Sequence, residues 1–141
     1  MYHSRLNTRR YNTNGVAVFE EDWDNLVILD ACRYDMFEQQ NTIDGKLESR
    51  ISRGSSTVEF LCGNVHDVDL QDTVYVTANP KLHENKKHID ASFHEIVNVW
   101  IDGWDETNHT VLPEKMTEHA IEAAEKWPNK RIFAHYIQPH Y

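Results

Sequence analysis

The chain has 141 residues, 40% of them hydrophobic and 26% charged, which is typical of one globular domain and not of a disordered segment. It carries 23 acidic and 14 basic residues, and this net charge of -9 argues against a nucleic-acid surface, because phosphate backbones need a concentrated basic field. No apolar run reaches the ~18 residues of a membrane span. The only two cysteines, Cys32 and Cys62, lie in apolar contexts, so we expect two buried thiols in a soluble, cytoplasmic protein with one domain over residues 1–141.

The first predicted strand covers residues 24–30, and we expect the polar segment 1–22 before it to cover one edge of a sheet. Its uninterrupted apolar run, residues 26–29, is typical of a parallel strand that is buried on both faces. Asp30 would then lie at the carboxyl end of the strand, where open α/β sheets bind ligands, and is a candidate metal ligand or catalytic group. The alternative is that Asp30 caps the helix that begins near Arg33.

A second short strand is predicted around residues 47–52, followed by a hydroxyl-rich loop that runs into a short helix. Ser55, Ser56 and Thr57 are all good N-cap residues, and helix capping alone would explain them. A helix N-terminus that follows a strand also attracts anions, and a hydroxyl held there can attack a phosphorus or sulfur centre. Both interpretations stay open at this point.

The rest of the chain alternates between strands and helices. Strands are predicted at residues 73–78, 96–101 and 131–137, a loop at 102–110, and a helix from Pro113 to about Trp127. His135 lies inside the last strand, where a histidine is usually a hydrogen-bonded core residue, whereas His140 follows that strand at the same edge as Asp30. The alternation predicts an α/β fold with a mostly parallel sheet flanked by helices.

A strand-end aspartate, a hydroxyl cluster at a helix start and a strand-end histidine together outline a site for ester hydrolysis. The carboxylate can hold a divalent cation, which stabilises the charge of a pentacoordinate phosphoryl or sulfuryl transition state. The imidazole can contact ester oxygens or protonate a leaving group. Oxygen ligands favour Ca, Mg or Mn, and additional histidine ligands would admit Zn.

The order of these motifs resembles the alkaline phosphatase and sulfatase superfamily, and most of all its archaeal sulfatase-like hydrolases. The segment Leu29-Asp-Ala-Cys-Arg-Tyr-Asp35 matches a pattern, Leu-Asp-x-x-Arg-x-Asp, that carries a metal-binding aspartate, although Ala31 stands where many sulfatases have a second one. Residues 54–61 resemble the segment that presents the nucleophile, and the best match to it is Thr57, with Ser55 and Ser56 as rivals. Residues 133–140 resemble a His-Tyr-x-x-Pro-His stretch whose second histidine faces the substrate.

The resemblance implies an alkaline phosphatase-like fold and metal-dependent hydrolysis or transfer of sulfate or phosphate esters, either small molecules or glycans. The candidate residues are Asp30 and Thr57 for the metal, Thr57, Ser55 and His140 for catalysis, and His140, Arg33 and Asn79 for substrate binding. Family members continue with a metal-binding Asp-His-Gly motif that this sequence lacks, so we expect an incomplete, truncated or partner-completed form. The last strand would then lie at or near a sheet edge, which favours a homo-oligomer. The alternative function is a non-catalytic oligomerising or binding module.

Overall fold

Four parallel strands form the central sheet in the computed structural model, which describes residues 11–30, 32 and 34–138. The strands are β1 (Asn25–Leu29), β2 (Asp69–Thr77), β3 (Ser92–Asn98), β4 (Trp104–Asp105), β5 (Thr110–Val111) and β6 (Arg131–Tyr136). Across the central sheet the order is β1-β6-β2-β3, and β4 and β5 form a separate antiparallel pair. The predicted α/β class with a mostly parallel sheet is confirmed.

Helices flank this sheet. They are α1 (Tyr34–Gln40), α2 (Thr57–Asn64), α3 (Lys81–Glu84), α4 (Val99–Asp102) and α5 (Pro113–Lys126). The longest, α5, begins at the predicted proline, whose fixed φ suits the first turn of a helix. Met116 and Ala123 on its inner face are buried with Val76 and Ala134 of the sheet. None of the described helices is long and apolar enough to cross a membrane.

An aromatic core covers the opposite face of the sheet. Tyr75 of β2 stacks on Phe133 of β6 with ring centroids 4.6 Å apart, and Phe93 of β3 lies 5.0 Å from Tyr75. Phe19, from a 3₁₀ turn at Val18–Glu20, packs edge-on against Phe133 at 5.1 Å. The described part of the N-terminal segment therefore contributes a ring to this core, which α2 also covers through Leu61.

Two predictions about the sheet are wrong. The first strand, an edge strand among the described residues, is not buried on both faces: Leu26 and Ile28 pack toward the aromatic core, but Val27 is 56% exposed on the other face, where α5 packs mainly on β2 and β6. The last strand does not lie at an edge, because β6 inserts between β1 and β2. A single apolar run shows that a segment favours a strand, but the elements that pack on the sheet decide how many of its faces are buried.

Several local predictions also differ from the structure. Residues 47–52 form no strand, and this exposed segment is tied to residues near the N-terminus by isolated backbone hydrogen bonds, such as Val16 N–H to the Ile51 carbonyl. The strand predicted at residues 96–101 ends at Asn98, where the chain turns into α4. Cys32 and Cys62 are half-buried, not buried.

Candidate functional site

An open cleft of about 1350 Å³ lies at the carboxyl edge of the central sheet. Four elements bring polar side chains to its wall: Asp30 follows β1, Thr57 begins α2, Asn79 follows β2, and His135 lies near the end of β6. Parallel strands all point their carboxyl ends to the same edge, so residues far apart in sequence meet there. The predicted position of the site, at this edge, agrees with the location of the cleft.

A second cleft of about 520 Å³ lies at the opposite end of the sheet, beside Asp24 and Arg131. The Arg131 guanidinium lies 3.6 Å from the centre of the Trp23 ring and donates to the carbonyls of Phe19 and Glu21. Because these contacts explain Arg131 as a structural residue, we place the candidate chemistry at the carboxyl edge.

Two of the predicted site residues, Thr57 and Asp30, contact each other through their side chains. The Thr57 hydroxyl donates to Asp30 Oδ1 over 3.3 Å, and the pair is partly buried. This distance is long for a hydroxyl donor, so the contact places the two groups side by side without holding them tightly. A hydroxyl next to a carboxylate has a proton acceptor within reach, which is the arrangement that an oxygen nucleophile needs.

The two serines before Thr57 serve the start of α2. Ser56 is the N-cap residue, and its hydroxyl accepts the backbone N–H of Glu59 at 3.3 Å. The backbone N–H and hydroxyl of Ser55 donate to Glu59 Oε1 at 2.5 and 2.9 Å, and these bonds lower the pKa of Glu59. The capping prediction is thus confirmed for Ser56, while the hydroxyl of Thr57 faces Asp30.

Asn79 lines the cleft and is only 5% exposed. Its side-chain Oδ1 accepts the backbone N–H of Lys81 at 2.8 Å, and the backbone N–H of Asn79 donates to the Thr77 hydroxyl at 2.9 Å. These bonds hold the turn from β2 into α3 at the cleft wall. The Asn79 side-chain oxygen therefore has a structural role, and the amide nitrogen remains for a ligand.

A buried pair, of which His135 lines the cleft, was not predicted as part of the site. Tyr75 Oη and His135 Nδ1 lie 2.7 Å apart, and the two residues are 0% and 2% exposed. Burial lowers the pKa of His135 to about 4, against the opposing effect of the Asp30 charge, and burial also raises the pKa of Tyr75. Both groups are therefore neutral at pH 7. The prediction that His135 is a hydrogen-bonded core residue is confirmed, and its place near the end of a strand was the available signal for a functional role.

Arg33 and His140, both predicted to bind substrate, lie outside the described residues. Within the described part of the chain, no group of three or more His, Cys, Asp or Glu side chains could hold a metal ion. Asp30 and Thr57 alone do not form a divalent-metal site, since such sites normally need several ligands.

The chain has no significant match among protein-family models, curated proteins or solved structures. The chemistry of the cleft is therefore the basis for a functional assignment. Of its described lining residues, only Asp30 and Lys81 carry a formal charge at neutral pH when histidines are neutral. The rest of the polar wall consists of hydroxyls, amides and imidazoles, which are neutral hydrogen-bonding groups.

Proposed function

We propose that this domain hydrolyses or transfers phosphate or sulfate esters, with Thr57 as the nucleophile. One observation carries the proposal: the Thr57 hydroxyl lies 3.3 Å from Asp30 Oδ1 on the wall of a cleft at the carboxyl edge of a parallel sheet. Thr57 is also the first residue of α2, where unpaired backbone N–H groups favour an anion. A nucleophile, a proton acceptor and an anion-favouring helix end therefore meet in one cleft.

The reaction has two steps. Thr57 Oγ1 attacks the phosphorus or sulfur atom, and its proton passes to Asp30. The bond to the ester oxygen breaks, the leaving oxygen takes a proton from water and departs as an alcohol, and the phosphoryl or sulfuryl group stays on Thr57. Water in hydrolysis, or an acceptor alcohol in transfer, then attacks this intermediate and loses a proton to solvent. The bond to Thr57 Oγ1 breaks, and Asp30 returns its proton to this oxygen. A divalent metal (Ca, Mg, Mn or Zn) is part of the proposal. Asp30 and Thr57 would provide only two of the several ligands that such an ion needs, and the bound ion would supply positive charge near the transition state.

The proposal is tested by assaying 4-nitrophenyl phosphate and 4-nitrophenyl sulfate with each of the four metals added singly. Thr57→Val keeps the side-chain shape but removes the hydroxyl, and we expect it to lower turnover by at least about a hundredfold. Thr57→Ser keeps the nucleophile and should retain activity. Ser55→Ala is the matched control, because its hydroxyl is bonded to Glu59. A Thr57→Val variant as active as the wild type would rule out Thr57 as the nucleophile.

The second candidate function is that of a non-catalytic oligomerising module. The exposure of strand β1 favours it, because an exposed strand can pair with another copy of the chain. Val27, at the centre of this edge strand, is 56% exposed, and the described residues provide β1 with a strand partner only on the β6 side. An antiparallel pair of β1 strands centred on Val27 would set Asp24 of one copy opposite Asp30 of the other. Because like charges that face each other destabilise a strand pair, we rank this candidate second. A lower sedimentation coefficient for Val27→Lys than for the wild type would support it.

A further inference from the structure

The imidazole of His135 lines the polar cleft although it is almost wholly buried. The residue is 2% exposed and lines the cleft together with Asp30 and Thr57. Among the described residues, its only side-chain hydrogen bond is the one at Nδ1, to the Tyr75 hydroxyl. The second ring nitrogen, Nε2, is thus left to a ligand in the cleft.

The chemistry of the pair indicates which nitrogen carries the proton. A phenol is a stronger acid than a neutral imidazole, and an imidazole nitrogen is a better acceptor than a phenol oxygen, so the favoured bond runs from Tyr75 O–H to His135 Nδ1. Burial keeps Tyr75 protonated and His135 neutral, since it raises the pKa of the first and lowers that of the second. In the neutral ring with Nδ1 as acceptor, the proton is on Nε2.

We propose that His135 is an anion-binding residue of the cleft, whose neutral Nε2–H donates a hydrogen bond to an oxygen of the phosphate or sulfate group beside Thr57. The identity of the anion rests on the proposed function. The charges of the wall favour this role, because Asp30 opposes an anion and Lys81 is the only lysine or arginine among the described lining residues. Neutral donors must therefore provide much of the binding, and a buried donor that is already held in place loses little entropy when the ligand arrives.

The tautomer of His135 can be measured directly in the full chain. The protein is labelled with ¹⁵N, and its nine histidines are observed in long-range ¹H–¹⁵N spectra, with His135 assigned from the spectrum of His135→Gln. We expect a neutral ring with the proton on Nε2, and a shift of that nitrogen when inorganic phosphate or sulfate is added. A proton on Nδ1 would overturn the proposal, because Nε2 would then be an acceptor and could not donate to the anion.

Binding of inorganic phosphate by the variants gives the second readout. The double variant Tyr75→Phe/His135→Phe removes both partners, so that no buried hydroxyl is left unpaired, and it should weaken phosphate binding about tenfold to a hundredfold. His135→Gln keeps an N–H close to the position of Nε2 and should bind within about threefold of the wild type. Equal affinity of the double variant and the wild type would overturn the proposal.

These outcomes separate the proposal from the proposed function. If Thr57→Val retains turnover but phosphate still shifts His135 Nε2, the nucleophile assignment fails and the anion-binding role of His135 stands. If Thr57→Val is inactive and phosphate leaves His135 Nε2 unchanged, the reverse is true. A wild-type protein that binds neither phosphate nor sulfate contradicts both.

Discussion

Thr57 and Asp30 are 27 positions apart in the sequence, yet the hydroxyl of one donates to the carboxylate of the other over 3.3 Å. They meet because one residue directly follows β1 and the other begins α2, and both elements end or start at the carboxyl edge of the sheet. The contact joins two features that are each common in proteins, a strand-end aspartate and a helix-start hydroxyl, and their combination makes the cleft a candidate for chemistry.

The proposed role of Asp30 as a metal ligand predicts that a variant at this position is no longer stabilised by metal. Ca, Mg, Mn or Zn at a hundred times its dissociation constant should stabilise the wild type by about 2.7 kcal/mol, because a ligand that binds only the folded state shifts the unfolding equilibrium. Asp30→Asn should lose this gain. Asp24→Asn is the matched control, since it removes the same charge at the opposite end of β1. Thermal unfolding with and without each metal measures both, and an equal gain in the two variants would contradict the assignment.

Mutations at the start of α2 can separate two roles. Ser56 caps the helix, and Thr57 contacts the Asp30 carboxylate. Ser56→Ala removes the N-cap bond to Glu59 N–H and should lower the free energy of unfolding by about 1 kcal/mol. Thr57→Val removes no capping bond and should cost less. Urea unfolding of the two variants measures the difference. The reverse order of stabilities would show that Thr57 is the structural residue.

Much of the architecture could be predicted from the sequence because local patterns specify it. Strand β1 and helix α5 lie where the apolar run of residues 26–29 and the helix start at Pro113 predicted them. The place of Asp30 at the carboxyl edge could also be predicted, since it follows from a parallel strand that ends there. The place of Thr57 at the same edge was predicted from a strand at residues 47–52 that the structure does not contain. The order of the strands could not, because the sequence of one strand does not specify its neighbours, and the insertion of β6 beside β1 decides which edge is exposed.

The place of His135 on the cleft wall could not be predicted from the sequence, for a different reason. A buried histidine with a hydrogen-bond partner has the same local pattern whether it lies in a closed core or beside a cavity. Its partner, Tyr75, is 60 residues away on β2, and only the pairing of β2 with β6 brings the two rings together. Sequence patterns describe elements, whereas this pair depends on how elements are arranged.

The close packing of the loop before α2 predicts that Gly54 cannot be replaced by a larger residue. A methyl group at Gly54 would lie 2.6 Å from the Glu59 carbonyl carbon and nearer still to the Phe60 nitrogen, so backbone atoms would have to move. We expect Gly54→Ala to lower the free energy of unfolding by about 1–3 kcal/mol, the usual cost of overpacking. Urea unfolding measures this cost, and a variant as stable as the wild type would show that the loop is free to shift.

The buried imidazole of His135 predicts that stability falls in mild acid. Its pKa is about 4 in the folded protein against an ordinary 6.5, so between these values the unfolded chain binds more protons than the folded one. The contribution is fully present above pH 6.5 and is lost as the pH falls toward 4, by about 3 kcal/mol over this interval.

Urea unfolding between pH 4 and 7.5 measures this slope. Asp30 is the other charge that acts on the ring, so the comparison needs a variant that keeps this carboxylate. Tyr75→Phe/His135→Phe keeps Asp30 and removes the imidazole, and its stability should fall less steeply with acid than that of the wild type. Parallel curves for the two proteins would mean that His135 titrates normally, and that water reaches its ring more freely than a 2% exposed residue allows.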